Sequence, residues 1–275
     1  MNKTDERIRK CQESLLELLD FFHKICIDNN IKYTLDCGTL IGAVREHGFI
    51  VWDDDADVSL IRAEYEKFKR ALKKVKLPKN IGIYYPSEEK GFLDFNLRLY
   101  DKNIVVRDDA DSKENYGGLF THPTLDIYVY DKVPKNKFKC RFYILCLQVV
   151  WGFAMSKRHK VTIGKYKIIE RVGIVLLGFV GKFISTKKVV ELFDFVSKLY
   201  MNVDNDKCLL YGTSWVPEYP GYQYDISYYR DYVLTKFENK EFIISSNYDK
   251  ILTIGYGDYM KPKKTHDHDN FIRDI

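Results

Sequence analysis

Residues 36–60 read DCGTLIGAVREHGFIVWDDDADVSL. Four of the five residues from Asp53 to Asp57 are aspartates, with Phe49, Ile50, Val51 and Trp52 before them and Val58 and Leu60 after. A short apolar strand does not carry so much uncompensated charge cheaply, because each carboxylate raises the pKa of its neighbours. DADVSLI (55–61) alternates as a strand does, so residues two apart share a face. Asp53, Asp55 and Asp57 are expected on one face, with Ala56 and Val58 toward the core and Asp54 turned away. A hard cation such as Mg²⁺ resolves the repulsion, and it is commonly held by one or two carboxylates plus substrate phosphates. Upstream, Gly38-Thr39 sits at a turn between the strand IKYTLDC (31–37) and the short helix LIGAVR (40–45). Backbone N–H groups at a helix start bind phosphate, and Arg45 is placed to pair with one. One unit therefore offers a metal site and an anion site, which together suit a nucleotide phosphate.

Working outward, Ile8, Cys11, Leu15, Leu18, Phe22 and Ile25 mark a helix over 5–28, and RAEYEKFKRALKKV (62–75) an amphipathic helix. IGIYYP, FLDFNLRLYD and TLDIYVYDKV (124–133) read as strands. In the last, Leu125, Ile127 and Val129 share one face, and Asp126, Tyr128 and Tyr130 the other. Asp126 is the candidate third carboxylate, able to bind metal or to take a proton from an attacking hydroxyl. Arg98 and Arg107 are further phosphate candidates. His266, Asp267, His268 and Asp269 form a polar tail cluster, with His266 and His268 as weaker site candidates.

The chain of 275 residues, 45% hydrophobic, suffices for one large mixed α/β domain with an added lobe. The expected division is a catalytic core over 1–134, a basic-apolar helical insertion over 135–203, and an aromatic-rich return segment over 204–275. Six cysteines lack C-x-x-C spacing and read as free thiols of a reducing cytoplasm. MNKTDERIRKCQESL holds no signal-peptide apolar core. The apolar runs 142–155 and 172–184 are short for a membrane span, which needs about 20 residues. Between Lys132 and Arg171 stand eleven Lys or Arg against one acid, Glu170. Apolar helices with basic shoulders suit a protein lying on the inner, anionic membrane face. Stacking aromatics do not alternate with these bases, which speaks against nucleic acid.

GTLIGAVREHGFIVWDDDADV resembles the signature of the LicD family, whose looser form occurs in fukutin-related proteins. LDIYVYDKVP is similar to that family's middle motif, and KFENKEF…YDKILTIGYGDYM to its closing one. The resemblance implies a nucleotidyltransferase-like α/β core that uses Mg²⁺ or Mn²⁺. It implies transfer of phosphocholine from CDP-choline onto a glycan hydroxyl, such as a lipid-linked teichoic-acid or lipopolysaccharide precursor. The metal carboxylates carry over onto Asp55 and Asp57, with Asp53 beside them and Asp126 as third member. Trp215, Tyr219, Tyr222 and Tyr224 crowd one segment and suit a quaternary ammonium or a stacking acceptor. Two other readings stand beside this one: a D-x-D glycosyltransferase using a nucleotide-sugar, and a transferase of another phospho-alcohol.

Overall fold

The computed structural model describes residues 3–87, 92–106, 118, 121–158, 160–211 and 223–262. The apolar stripe of the first segment forms α1 (Lys3–Asp28), whose Leu15, Leu18, Leu19 and Phe22 are fully buried. Phe22 lies edge-on to Tyr33, with ring centroids 5.0 Å apart, and also packs on Phe68 of α3 (Arg62–Leu72). The two helices are thereby packed together beside a seven-stranded mixed sheet. Its central strand is β5 (Thr124–Lys132), paired parallel with β2 (Ala56–Ile61). On its other side β5 meets β4 (Leu97–Asp101) along its first half and β6 (Lys207–Tyr211) along its second, both antiparallel. β1 (Thr34–Leu35), β3 (Ile81–Tyr84) and β7 (Gln223–Asp225) complete the sheet. The expected mixed α/β architecture is what forms.

The strand before the signature is shorter than its sequence suggests. β1 spans two residues, and α2 (Cys37–Arg45) starts at Cys37, so Gly38 and Thr39 lie in the first helical turn and not in a turn before it. Asp36 caps this helix, accepting from the Cys37 N–H at 2.8 Å, which satisfies one orphan donor. FLDFNLRLYD is likewise a strand only in its second half. Asp94 accepts from the Asn96 N–H at 2.9 Å, and this local bond replaces a ladder bond.

The segment 135–203 folds as helices α4 (Lys137–Met155), α5 (Ile168–Gly181) and α6 (Thr186–Lys198). α6 joins it to the core. Phe193 stacks on Phe95 at 3.6 Å between centroids, and Asp194 accepts from Arg62 at 2.9 Å. Arg62 is itself buried and forks onto Asp131 at 2.6 and 2.7 Å. α4 is 19 residues long, because the basic turn from Lys137 extends the apolar run. It is long and apolar enough to cross a membrane by length and composition, although half of it is buried within the protein. The chain returns through the hairpin β8 (Tyr232–Phe237) and β9 (Lys240–Ser245), then α7 (Tyr248–Tyr256). The hairpin leans on β1, where the Ser245 N–H donates to Thr34 Oγ1 at 2.9 Å. All six cysteines are free thiols, four of them buried.

Candidate active site

The acidic stretch is irregular until Ala56, because pairing with β5 begins there, opposite Leu125. Asp57 alone of the four aspartates sits on the strand, so the shared face expected from alternation is not built by a strand. The loop is held in place by its neighbours instead. From α1, the Gln12 side chain donates to the carbonyls of Ile50 and Asp53 at 3.0 and 3.1 Å, and Cys11 Sγ donates to that of Asp54 at 3.4 Å. From the turn of the β8–β9 hairpin, Glu238 accepts from the Phe49 N–H at 3.2 Å and from Arg9 at 2.9 and 3.1 Å. From α2, Thr39 Oγ1 accepts from the Asp57 N–H at 2.9 Å. Gln12→Leu strips the donor from two carbonyls at once. We expect a loss of roughly 1–3 kcal/mol in urea unfolding from leaving them unpaired, together with a weaker response to added divalent cation.

These anchors bring the carboxylates together. Asp53 and Asp57 are buried and Asp55 is half-buried. Burial, then repulsion by Asp54, pushes the Asp53 carboxyl up to about 7. Burial and then Asp57 raise Asp55 well above the carboxylate range, while burial and then Asp126 do the same for Asp57. Asp53 Oδ2 is buried without a hydrogen-bond partner. It also explains Gly38, because a Cβ there would stand 2.9 Å from that oxygen.

Behind Asp57 the sheet register sets a row of charge. Asp57 pairs with Asp126 across β2 and β5, and Asp126 with Arg98 across β5 and β4. Arg98 is buried and forks onto Asp126 at 2.6 and 2.9 Å and onto Asp94 at 2.7 and 2.8 Å. Burial lifts the Asp126 pKa, and the guanidinium opposes that lift. Tyr128 OH donates to Asp126 at 3.5 Å.

A cleft of about 420 Å³ opens over this cluster. Asp53, Asp55 and Asp57 line it, as do Gly38 and Arg45 at the two ends of α2. Arg45 donates to Glu46 at 2.7 Å and to the Tyr259 carbonyl at 2.8 Å. Asp126 is not among the lining residues, and Thr39 is buried beneath them. Several lining residues escaped the sequence reading: Trp52, Tyr128, Cys37, and Tyr256, Asp258, Tyr259 and Lys261 from the end of the described chain. The YGDYM stretch was visible as a motif, but only folding carries it across to α2. Tyr224 is buried against Tyr130, with centroids 5.4 Å apart, and does not line the cleft. Trp215, Tyr219, Tyr222, Arg107, His266 and His268 lie outside the described residues.

Among the described residues, no three His, Cys, Asp or Glu side chains are gathered in the geometry that holds a metal ion. The donor chemistry nonetheless suits a hard divalent cation. It consists of oxygen donors only, crowded enough to retain protons, with one buried carboxylate oxygen unpartnered. A sign follows for stability. The folded-state pKa of Asp53 lies above its unfolded value near 4, so the folded form holds the extra proton and stability falls as pH rises from about 4 to about 7. In chelator, we expect the melting temperature at pH 8 to lie below that at pH 5. Asp53→Asn should reduce the difference, with Asp55 and Asp57 supplying the remainder, and Mg²⁺ should raise the pH 8 value more than the pH 5 value.

Carboxylates, a helix start and an arginine thus surround one opening. A family model described as LicD/FKTN/FKRP, nucleotidyltransferase domain, matches residues 30–142, which contain α2, the acidic loop and β5. Over those residues the chain is similar to the LicD family. It is 27% identical over 266 residues to the lipopolysaccharide cholinephosphotransferase LicD of Haemophilus influenzae, covering 92% of this chain and 91% of that protein. It is also 37% identical over 149 residues to an uncharacterised protein of Rickettsia prowazekii, covering 50% of this chain and 52% of that one. A further match, to an uncharacterised protein of Rickettsia typhi, is 40% identical over 63 residues, 23% of this chain and 20% of that one.

Proposed function

We propose that this protein transfers phosphocholine from CDP-choline onto a hydroxyl of a lipid-linked cell-surface glycan at the cytoplasmic face of the membrane. One observation carries the reading: on a LicD domain, Asp53, Asp55 and Asp57 converge on a cleft bounded by the start of α2 and by Arg45. The Haemophilus influenzae relative's name, which includes both cholinephosphotransferase and lipopolysaccharide, supports the head group and suggests the acceptor class. A teichoic-acid precursor offers the same hydroxyl chemistry.

Asp55 and Asp57 would hold Mg²⁺ or Mn²⁺, with Asp53 beside them. The cation, when bound, neutralises charge on the donor phosphates and on the departing CMP. The chain's own residues do the rest. The Gly38 and Thr39 N–H groups belong to the first turn of α2, whose donors lack intrahelical partners and suit a phosphate oxygen. Arg45, held at the opposite end of the same helix, reaches the outer part of the cleft. The acceptor hydroxyl attacks the phosphorus that carries choline, the P–O bond to CMP breaks, and the hydroxyl proton passes to a carboxylate. Asp53, with its pKa near 7, suits that task at neutral pH. Asp126, tied to Arg98, holds negative charge beneath Asp57 and so keeps the cleft attractive to a cation. Trp52, Tyr128, Tyr256 and Tyr259 line the cleft and offer aromatic faces to the quaternary ammonium.

Purified protein with Mg²⁺, an acceptor extract and either CDP-choline or UDP-sugars tests the reading. CMP release with CDP-choline alone supports it. UDP release would move the protein to the glycosyltransferases, and release of neither nucleotide would refute transfer.

A further inference from the structure

The helical lobe carries an inverted helix. α5 turns its small residues inward: Gly178 and Gly181 are buried, and a Cβ on Gly181 would meet the Phe153 carbonyl of α4 at 2.2 Å. α4 reciprocates with Gly152, where a Cβ would meet Leu177 at 2.5 Å. Its large apolar residues point out. Ile168, Ile169, Phe179 and Phe183 are 76%, 86%, 63% and 80% exposed, with Val172, Val175 and Leu176 between them. At 100° per residue the six of these that lie within α5 fill one continuous outer arc of roughly 120°, and Phe183 follows just past its end. A helix packed in water does the reverse, because exposing this much apolar surface forgoes roughly 25 cal/mol per Å². Close packing through glycine with large apolar residues outward is the habit of helices whose surroundings are lipid.

The charges around the arc say which surface covers it. Arg171 flanks it on α5 and Lys182 caps the helix end, Lys160 and Lys167 precede it, Lys187 and Lys188 follow it, and all six are exposed. Glu170 is the one acid within α5, and it is turned back to cap the helix, accepting from the Lys167 N–H at 2.8 Å. The neighbouring α4 also exposes Phe138, Phe142 and Leu145, beside Lys137, Lys139 and Arg141. An apolar arc with a basic rim complements an anionic phospholipid surface. A second copy of the chain would bring the same positive rim against itself. The 14 residues of α5 reach about 21 Å, short of the roughly 30 Å apolar layer, so this helix lies on the bilayer and does not span it.

We infer that α5 is an interfacial anchor that seats the enzyme on an anionic bilayer, with Val172, Leu176 and Phe179 buried among the acyl chains. Vesicle binding needs no turnover, so this inference stands or falls apart from the proposed transfer reaction. The test is cosedimentation with vesicles of phosphatidylcholine containing roughly a quarter phosphatidylglycerol, using the whole chain. The expected result is binding that weakens in high salt and falls at least about tenfold in the triple variant Val172→Ser, Leu176→Ser, Phe179→Ser. These side chains are exposed, so the variant should fold, which circular dichroism checks. A Phe179→Trp reporter should shift its emission to the blue on the same vesicles. Wild-type protein left in the supernatant, or equal binding by the triple variant, overturns the inference. So does a dimer that the triple variant dissolves in the absence of any vesicle binding, since that assigns the arc to a second copy.

Discussion

Asp57→Ala and Asp55→Ala are each expected to lower choline-phosphate transfer by on the order of 10³-fold or more, without harming the fold. The two effects have one origin. These carboxylates repel each other and Asp126 in a buried cluster, so each is held at a cost that proton uptake, or a bound cation, would relieve. Removing one relieves the repulsion in metal-free protein, and the melting temperature in chelator should hold or rise. In the wild type, Mg²⁺ should raise the melting temperature, as any ligand of the native state does, and in either variant that rise should vanish. A melting temperature that collapses in chelator would mean that Asp55 or Asp57 is structural, and it would remove the metal reading. Retained CMP release with a lost thermal response would separate metal binding from turnover.

Arg98→Met is expected to act in the opposite sense, on the fold first. It strands Asp94 and Asp126, both buried, where four short hydrogen bonds now satisfy them. Breaking a buried pair from one side costs about 3–5 kcal/mol, because the remaining charge stays out of water. For a chain of this size that is a fall of roughly 10 °C in melting temperature. Adding Asp126→Asn should recover part of the loss. Arg98→Lys should not, since a point ammonium cannot fork onto two carboxylates at once. An unchanged melting temperature for Arg98→Met would contradict the buried network.

The comparison of these two predictions separates two kinds of cation. The charge that offsets Asp126 is protein, Arg98 on the adjacent strand, two strands across the sheet from Asp57. In metal-free protein Asp53 and Asp55 hold their protons more tightly, because burial and the neighbouring carboxylates raise their pKa values. Both devices were invisible in the local pattern. Arg98 read as a weak phosphate candidate because its alternation on FLDFNLRLYD shows a face, and not what faces it.

Much of the core could be read directly. The stripe from Ile8 to Ile25 becomes α1, the alternation over 56–61 and 124–132 becomes the central parallel pair, and 62–72 becomes α3. These are elements whose period is set by their own burial, so composition along a few turns is enough to reveal them. The clustering of Asp53, Asp55 and Asp57 was also legible, although the reason given by strand alternation was not the one that operates. Loop geometry holds the first two, through Gln12, Glu238 and Gly38.

By itself, then, the sequence of this protein determined the central strands β2 and β5, the helices α1 and α3, the acidic cluster and the basic, apolar character of 135–203. Only the tertiary structure decided the company those groups keep. It placed Arg98 beside Asp126, carried Tyr256 and Asp258 across to Gly38, and turned the apolar side of α5 outward. The reason is physical: periodicity reports which residues share a face within one element, whereas the partner of a face is set by packing between elements far apart in the chain.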